Sequence, residues 1–158
     1  MNKEECRDRL VEELGVHFEG QYNLPPLAAR IFAILVLTDK EGLTFEDCLE
    51  KRNASKSSIS TALNLLLKLG IIQYYTVSGD RKRYFNIRNS FFLTKLEQEL
   101  KKITQESINL KKMLEYNQKF NVQKAKSNEP KKKIYMDYLE NSERTLLKAI
   151  NSLKALQE

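Results

Sequence analysis

The sequence has no tryptophan, one histidine and five glycines, and these scarcities exclude several kinds of active site. His17 has no histidine or cysteine at metal-ligand spacing, so neither a zinc site nor a nucleophile–base pair is indicated. The glycines form no phosphate-binding loop of the G-x-G-x-x-G or G-x-x-x-x-G-K-[ST] type. We therefore predict that the chain is not an enzyme and binds no metal and no cofactor, with His17 as a structural residue near a helix end.

Cysteine is also scarce. Cys6 and Cys48 are far apart in the chain and form no C-x-x-C pair, which fits a reducing compartment better than a disulfide scaffold. Both are predicted to be small buried hydrophobic residues. A redox switch at either thiol stays an open alternative, for which Arg7 beside Cys6 is only a weak indication.

Long apolar runs are missing as well. The longest, Ile31 to Leu37, covers only about two helical turns and is too short to cross a bilayer. The first 13 residues are charged throughout and lack the apolar centre of a secretion signal. A chain of 158 residues has room for one domain with a hydrophobic core and a smaller appendage. We expect a soluble, cytoplasmic protein.

Positive charge is concentrated in one quarter of the chain. The whole chain has a net charge of +6, whereas the segment from residue 51 to residue 88 alone carries +7. Its only acid is Asp80, and its basic residues are Lys51, Arg52, Lys56, Lys68, Arg81, Lys82, Arg83 and Arg88. A positive field confined in this way predicts a polyanionic partner. A charged face that meets only solvent is the alternative that charge alone leaves open.

The spacing of apolar residues predicts the first helices. An amphipathic helix is expected from Asn2 to about Glu19, and its sparse apolar positions require a partner surface. Pro25 and Pro26 then start a short, buried helix, which is predicted to end where Gly42 interrupts the pattern.

A capped helix is predicted next. Thr44 is placed to cap it, Asp47 lies in its acidic first turn, and it should end near Arg52. Its inward-facing residues are predicted to be Phe45, Cys48 and Leu49.

The sequence from Asn53 to Gly70 predicts a third helix of this region with two unlike faces. Ser55 caps its start and Gly70 supplies its end. The apolar face consists of Ile59, Ala62, Leu63 and Leu66. The opposite face is small, polar and free of acids, and it consists of Lys56, Ser57, Ser58, Ser60, Thr61 and Asn64. Short hydroxyl side chains let a helix approach a nucleic-acid groove, where Lys and Asn reach phosphates or base edges. An ordinary surface helix, the alternative, would be expected to pair acids with bases.

A β-hairpin is predicted directly after this helix. Residues 71–77 and 82–87 are rich in β-branched and aromatic side chains, and a turn separates them. The tip of the hairpin is basic, with Arg81, Lys82 and Arg83, which suits a wing that contacts phosphate or enters a minor groove. Three helices followed by a basic hairpin predict a winged helix-turn-helix domain.

Several short motifs follow one another through this region. They are Leu24-Pro25-Pro26, Ala28-Ala29-Arg30-Ile31, Ala54-Ser55-Lys56-Ser57-Ser58-Ile59-Ser60, Leu69-Gly70-Ile71-Ile72 and Gly79-Asp80-Arg81-Lys82-Arg83-Tyr84. In order and spacing they resemble the GbsR-like branch of the MarR family of transcriptional regulators, over residues 10 to 90. The resemblance implies a homodimer on double-stranded DNA, with the helix of residues 56–69 in the major groove and residues 81–83 as the wing. It also implies regulation of transcription, usually repression, often relieved by a small-molecule effector of unknown identity.

The last third of the chain has a heptad pattern. Its positions in a first helix are Leu93, Leu96, Leu100, Ile103, Ser107, Leu110, Leu114 and Asn117. After a predicted break from Asn121 to Pro130, it returns in a second helix at Tyr135, Leu139, Ser142, Leu146, Ala149, Leu153 and Leu156. Two narrow apolar stripes require helix-to-helix association within one chain, between two chains, or both. We favour dimerisation through these residues, because two-fold symmetry would place two recognition helices about 34 to 36 Å apart, one turn of DNA.

The segment that connects the two heptad helices, residues 122–133, is predicted to be an exposed loop. Its basic residues are Lys124, Lys126, Lys131, Lys132 and Lys133. A solvated turn is the preferred interpretation, and non-specific phosphate contacts are the alternative. The resemblance to the GbsR-like branch further suggests an aromatic cage for a quaternary ammonium ligand at Tyr116, Tyr135 and Tyr138, although packing is the more ordinary role of such tyrosines.

The patterns together predict a mainly α protein with a small β-hairpin. Residues 1–23 form an N-terminal helix for packing or dimer contact, residues 24–90 a winged helix-turn-helix domain, and residues 91–158 a dimerising helical hairpin. The preferred function is a sequence-specific, double-stranded-DNA-binding transcriptional regulator, a ligand-responsive repressor that acts as a homodimer. One alternative is a winged-helix protein-interaction module without specific DNA binding, and another is an RNA-binding winged helix.

Overall fold

The computed structural model describes residues 2–127 and 129–156. In chain order their elements are α1 (Lys3–Tyr22), α2 (Pro26–Leu37), β1 (Leu43–Thr44), α3 (Phe45–Arg52), α4 (Lys56–Lys68), β2 (Ile72–Thr76), β3 (Arg83–Ile87), α5 (Phe91–Phe120), α6 (Val122–Ser127) and α7 (Glu129–Ala155). The predicted fold class is confirmed: the protein is mainly helical and combines a winged helix with long C-terminal helices. These elements form two compact units, which divide between Phe91 and Phe92.

The first two helices begin as the sequence predicts, but the second ends early. The Asn2 side chain accepts a hydrogen bond from the Glu5 N–H at 2.8 Å and caps α1. Helix α2 begins at Pro26, where the absence of a backbone N–H loses no hydrogen bond because first-turn N–H groups have no partner within the helix. However, α2 ends at Leu37 rather than at Gly42. Gly42 instead allows a close approach to the sheet, since a Cβ there would lie 3.1 Å from the Phe85 carbonyl oxygen.

Local capping defines α3 and α4. Thr44 and Asp47 cap each other reciprocally at the start of α3, and Ser55 caps α4 by accepting the Ser58 N–H at 3.2 Å. Both helices end as predicted, α3 at Arg52 and α4 at Lys68, just before Gly70. These starts and ends come from signals within a few residues, which is why the sequence alone located them.

The sheet has three antiparallel strands in the order β1-β3-β2. The predicted hairpin forms β2 and β3, with Tyr74 opposite Phe85 and Tyr75 opposite Tyr84. The sequence interpretation missed β1, whose Leu43 pairs with Phe85. A strand of two residues has no alternation to detect, although Leu43 is completely buried.

The core of the first unit lies between its helices and the sheet. The largest side chains that are fully buried there are Phe32, Ile31, Leu43, Ile59, Leu66, Ile72 and Cys48. Burial of each such aliphatic or aromatic side chain contributes about 1.5 to 3 kcal/mol. Phe18 stacks on Phe32 with ring centroids 4.3 Å apart, which attaches α1 to α2.

The two cysteines differ in their exposure to solvent. Burial raises the pKa of the Cys48 thiol to about 12, which agrees with the predicted role as a buried hydrophobic residue. The same prediction is wrong for Cys6, which is exposed. In α1 the buried face passes through Val11, Gly15 and Phe18, and Cys6 does not lie on that face.

In the second unit α5 and α7 are antiparallel within one chain. Glu97 contacts Lys154 at 3.1 Å and Thr104 donates to Glu143 at 3.2 Å, so contacts run in opposite order along the two helices. The buried residues of the two helices are Ile103, Ser107, Leu139 and Ile150. The sequence left open whether the heptad stripes associate within one chain, between two chains, or both. The structure shows that the two helices pair within one chain.

The predicted break begins as expected, since α5 ends at Phe120 and Asn121 is not helical. The loop predicted for residues 122–133 is wrong where the structure describes it, because residues 122–127 and 129–133 are helical, although most of them are exposed as predicted. Residues 122–127 form α6, and α7 begins at Glu129 with Pro130 in its first turn. A proline is tolerated there because the first-turn N–H groups have no partner within the helix. The lysines of this segment therefore lie on helices.

Two predicted stripe positions, one near the start of α7 and one just after its end, are exposed in the single chain. Tyr135 is 42% exposed and Leu156 is 83% exposed. The covered stripe of α7 contains the half-buried Met136 and the buried Ile150.

Within residues 2–127 and 129–156, no helix has the length and apolar content needed to cross a membrane.

Candidate nucleic-acid interface

The outer face of α4 is open. All six polar residues predicted for it are exposed: Lys56, Ser57, Ser58, Ser60, Thr61 and Asn64. The four apolar residues predicted for the opposite face, Ile59, Ala62, Leu63 and Leu66, are buried. The helix thus presents small polar side chains outward and is held to the core by its other side.

Hydrogen bonding divides the polar face into two parts. The Ser55 Oγ lies 2.7 Å from the Ser58 Oγ and 3.1 Å from the Ser57 Oγ, so these hydroxyls are engaged at the helix start. In the described part of the chain, the side chains of Ser60, Thr61 and Asn64 have no hydrogen-bond partner. Free donors and acceptors one and two turns into a helix are suited to base edges in a groove.

The turn of the hairpin is shaped by Asp80. Its N–H donates to the Val77 carbonyl at 3.0 Å, and Gly79 has a φ of 83°, a left-handed backbone that favours glycine. The Asp80 carboxylate accepts the Lys82 N–H at 2.9 Å and the Tyr84 hydroxyl at 2.7 Å. These two donors lower the pKa of Asp80, and the same hydrogen bond raises the pKa of Tyr84.

The basic side chains of the wing face solvent. Arg81, Lys82 and Arg83 are all exposed, and the Arg83 guanidinium lies 4.7 Å from the centre of the Tyr74 ring. Within residues 2–127 and 129–156, none of the three forms an ion pair. Their charge is therefore available to an anionic partner, and Asp80, the acid within the hairpin, is engaged in the turn.

A groove of about 370 Å³ joins α4 to the wing. Its lining residues are Ser60, Leu63 and Asn64 of α4, Arg81, Lys82, Arg83 and Phe85 of the wing, and Phe45 and Glu46 of α3. The structure thus brings together helix and wing residues that are about 20 positions apart in the sequence. Pairing of β1 with β3 places the start of α3 beside the wing, which the sequence interpretation missed.

Ion pairs connect α1 to α2 and to α3. Arg30 donates to Glu12 at 3.0 Å and also contacts Glu19, while Arg52 contacts Glu12 at 3.0 Å. Arg30 and, less strongly, Arg52 lower the pKa of Glu12 against the opposing effect of its burial. Arg52 is therefore the one basic residue of the segment 51–88 that is neutralised within the described residues.

The remaining predicted site residues lie elsewhere. Tyr135 stacks on Tyr138, whereas Tyr116 contacts Phe120, so the three tyrosines of the suggested cage do not meet. His17 is exposed beside Phe18. No group of three potential metal ligands occurs in residues 2–127 and 129–156.

The residues predicted for dimerisation line the second unit. Ile103 and Leu139 are buried within one chain, while the others are half-buried: Leu93, Leu96, Leu100, Leu110, Leu114, Leu146 and Leu153. Apolar residues that are more than 40% exposed are also present on these helices, among them Ile108, Met113 and Leu147.

Comparison with known proteins finds one similar curated protein, and the match covers part of the chain. No protein-family model matches the chain. Over 82 residues, 52% of this chain and 49% of the other, it is 35% identical to the HTH-type transcriptional regulator MmpR5 of Mycobacterium tuberculosis (strain ATCC 25618 / H37Rv). The matched part thus spans about half the length of that curated relative.

The fold comparison covers more of the chain. A crystal structure of a transcriptional regulator aligns over 95% of this chain and 99% of its own length, with 23% identity and a TM-score of 0.59. The S. aureus MepR–DNA complex aligns over 71% of this chain and 95% of its own, with 19% identity and a TM-score of 0.43. The chain shares the fold of a transcriptional regulator, and membership of the GbsR-like branch stays a prediction.

Proposed function

We propose that the chain is a sequence-specific, double-stranded-DNA-binding transcriptional regulator that acts as a homodimer. The observation that carries this proposal is the groove in which the acid-free face of α4 meets the basic wing. A duplex offers both partners at once: a major groove that admits a helix, and phosphates that attract the flanking basic side chains.

The two sides of the groove have different roles in this proposal. Ser60, Thr61 and Asn64, whose side chains are exposed, read base edges. Arg81 and Lys82 of the wing contact phosphates and position the helix without reading sequence. Lys56, at the start of α4, adds a phosphate contact where the helix dipole also favours an anion.

The homodimer is proposed for the second unit. One antiparallel pair of helices leaves its stripe only half-buried at Leu100, Leu110 and Leu146. A second copy would cover these residues together with the exposed Ile108 and Met113. Two-fold symmetry then presents two copies of α4 to successive turns of a palindromic site. Repression that a small molecule relieves is proposed only on the resemblance to the GbsR-like branch.

Equilibrium binding to three labelled nucleic acids of equal length tests the nucleic-acid part of this proposal. Duplex DNA should bind with a steep salt dependence, whereas single-stranded DNA and duplex RNA should bind more weakly. Binding to none of them at low salt would favour the winged-helix protein-interaction module. Sedimentation equilibrium of the same sample tests the dimer independently, and a monomer at micromolar concentration would contradict it.

A further inference from the structure

A cavity of about 500 Å³ lies at the end of the helical hairpin, far along the chain from α4 and the wing. It is formed entirely within the second unit, by the end of α5, by α6 and by the start of α7. Its lining residues are Leu114, Gln118, Val122, Ala125, Lys126, Glu129, Lys132, Lys133 and Met136. Its volume is in the range of small-molecule sites, about 300 to 1,000 Å³.

The walls of this cavity are aliphatic. Leu114, Ala125 and Met136 are half-buried, and Val122 is 49% exposed. None of the lining residues has an aromatic ring on which a planar ligand could stack. Flexible aliphatic side chains, methionine above all, instead adapt to an unbranched hydrocarbon chain.

The rim of the cavity is positively charged. Lys126, Lys132 and Lys133 line it with a single acid, Glu129. The Lys132 ammonium donates to the Ala125 carbonyl at 3.4 Å, which attaches α7 to α6. Neither Lys126 nor Lys133 forms an ion pair within residues 2–127 and 129–156. A partner that satisfies this rim carries negative charge.

We propose that this cavity binds an amphipathic carboxylate with an unbranched acyl chain. The chain lies against Leu114, Val122 and Met136, and the carboxylate lies between Lys126 and Lys133. The ligand needs both its charge and its hydrocarbon chain. A polyanion would leave the aliphatic walls uncovered, and a neutral hydrocarbon would leave the ammonium groups of the rim unpaired. The site does not depend on the proposed DNA binding, since it uses no residue of α4 or the wing.

Calorimetric titration of the full-length protein with monomeric decanoate, without DNA, tests this site. We expect saturable binding, with octanoate weaker by about tenfold because two fewer methylene groups are buried. Decan-1-ol and decyltrimethylammonium, which keep the chain but lack the negative charge, should bind more weakly than decanoate.

Two variants separate the rim from the walls. Lys126→Gln combined with Lys133→Gln should weaken decanoate binding about tenfold and leave decan-1-ol binding unchanged. Ala125→Leu, which fills the cavity, should weaken both ligands. The matched control combines Lys111→Gln with Lys148→Gln, which removes two charges from exposed positions of α5 and α7 outside the cavity. It should leave both affinities unchanged.

The proposal is overturned if decanoate does not saturate, or if the two lysine pairs have equal effects. Binding only to phosphatidylglycerol vesicles, and not to monomeric decanoate, would assign the lysines to a membrane surface instead. Because no DNA is present, failure here leaves the proposed regulator untouched, and loss of DNA binding in other experiments leaves this site untouched.

Discussion

At the residue scale, Asp80 illustrates how an acid can support a basic surface. It is the only acid between residues 51 and 88, and it accepts hydrogen bonds from the Lys82 N–H and the Tyr84 hydroxyl. Its charge is thus engaged in the shape of the turn. The same geometry directs the neighbouring Arg81 and Lys82 side chains into solvent, where a phosphate can reach them.

The Tyr84→Phe variant tests this role of Asp80. Loss of the hydroxyl hydrogen bond should destabilise the protein only slightly, and it should weaken duplex binding several-fold because the wing is less ordered. Tyr74→Phe is the matched control, because the Tyr74 hydroxyl has no hydrogen-bond partner in the described part of the chain. Equal affinities for the two variants, measured by fluorescence anisotropy, would contradict the role given to Asp80.

Removal of one wing charge should act on affinity rather than on sequence choice. Arg81→Gln should lower the slope of log Kobs against log salt concentration by about one unit on any duplex sequence. Thr61→Ala, on the face of α4, should instead change the preferred bases, with little effect on the slope. Lys148→Gln is the control for loss of an exposed charge elsewhere. If Arg81→Gln and Thr61→Ala act alike, the division into phosphate and base contacts is wrong.

The pH dependence of stability should report on the cap of α3. Burial raises the pKa of Asp47, but the Thr44 N–H and hydroxyl, together with Lys40, lower it by more, so the pKa is below its ordinary value. The ionised form is therefore the one stabilised by folding. This contribution is fully present above the unfolded-state pKa and is lost as pH falls through the lower folded-state pKa.

Asp47→Asn makes the prediction measurable. The difference in free energy of unfolding between the native protein and this variant should be constant above about pH 5 and should shrink as pH falls toward 3. Urea unfolding at a series of pH values gives that difference. A difference that grows on acidification would show that Asp47 is not stabilised as a carboxylate.

At the element scale, the sequence was informative where a helix or strand is defined by its own residues. Ser55, Gly70 and the apolar positions of α4 predicted that helix to within a residue or two. The sequence was not informative where contacts with neighbouring elements define a helix or strand. Strand β1 exists because Leu43 and Thr44 pair with β3, and α6 and the start of α7 are polar segments that resemble a loop when read alone.

The same glycine-to-alanine change should have opposite signs in two elements. Gly79→Ala should destabilise the protein by about 1 to 2 kcal/mol, because its φ of 83° is unfavourable for a side chain although nothing lies within 4 Å. Gly20→Ala, in α1 and also surrounded by open space, should stabilise it by about 0.5 to 1 kcal/mol. Urea midpoints at one protein concentration give both values. Changes of the same sign would contradict the backbone assignment of the turn.

At the scale of the whole molecule, the sequence predicted which surfaces exist better than which residues meet across them. The acid-free face and the basic wing were both identified, but their shared groove depends on the three-stranded sheet. In the second unit the stripe residues were mostly found, yet their periodicity is equally compatible with pairing inside one chain and between two. The contacts of Thr104 with Glu143, of Glu97 with Lys154 and of Tyr135 with Glu106 establish the pairing within the chain.

Selection of bound sequences from a random duplex DNA pool at physiological salt tests the central proposal most directly. The account predicts enrichment of an inverted repeat whose half-sites are centred about one helical turn apart, with an affinity well above that for random duplex. Weak, salt-sensitive binding without enrichment of any sequence would contradict it, and would favour a winged helix that serves to bind another protein.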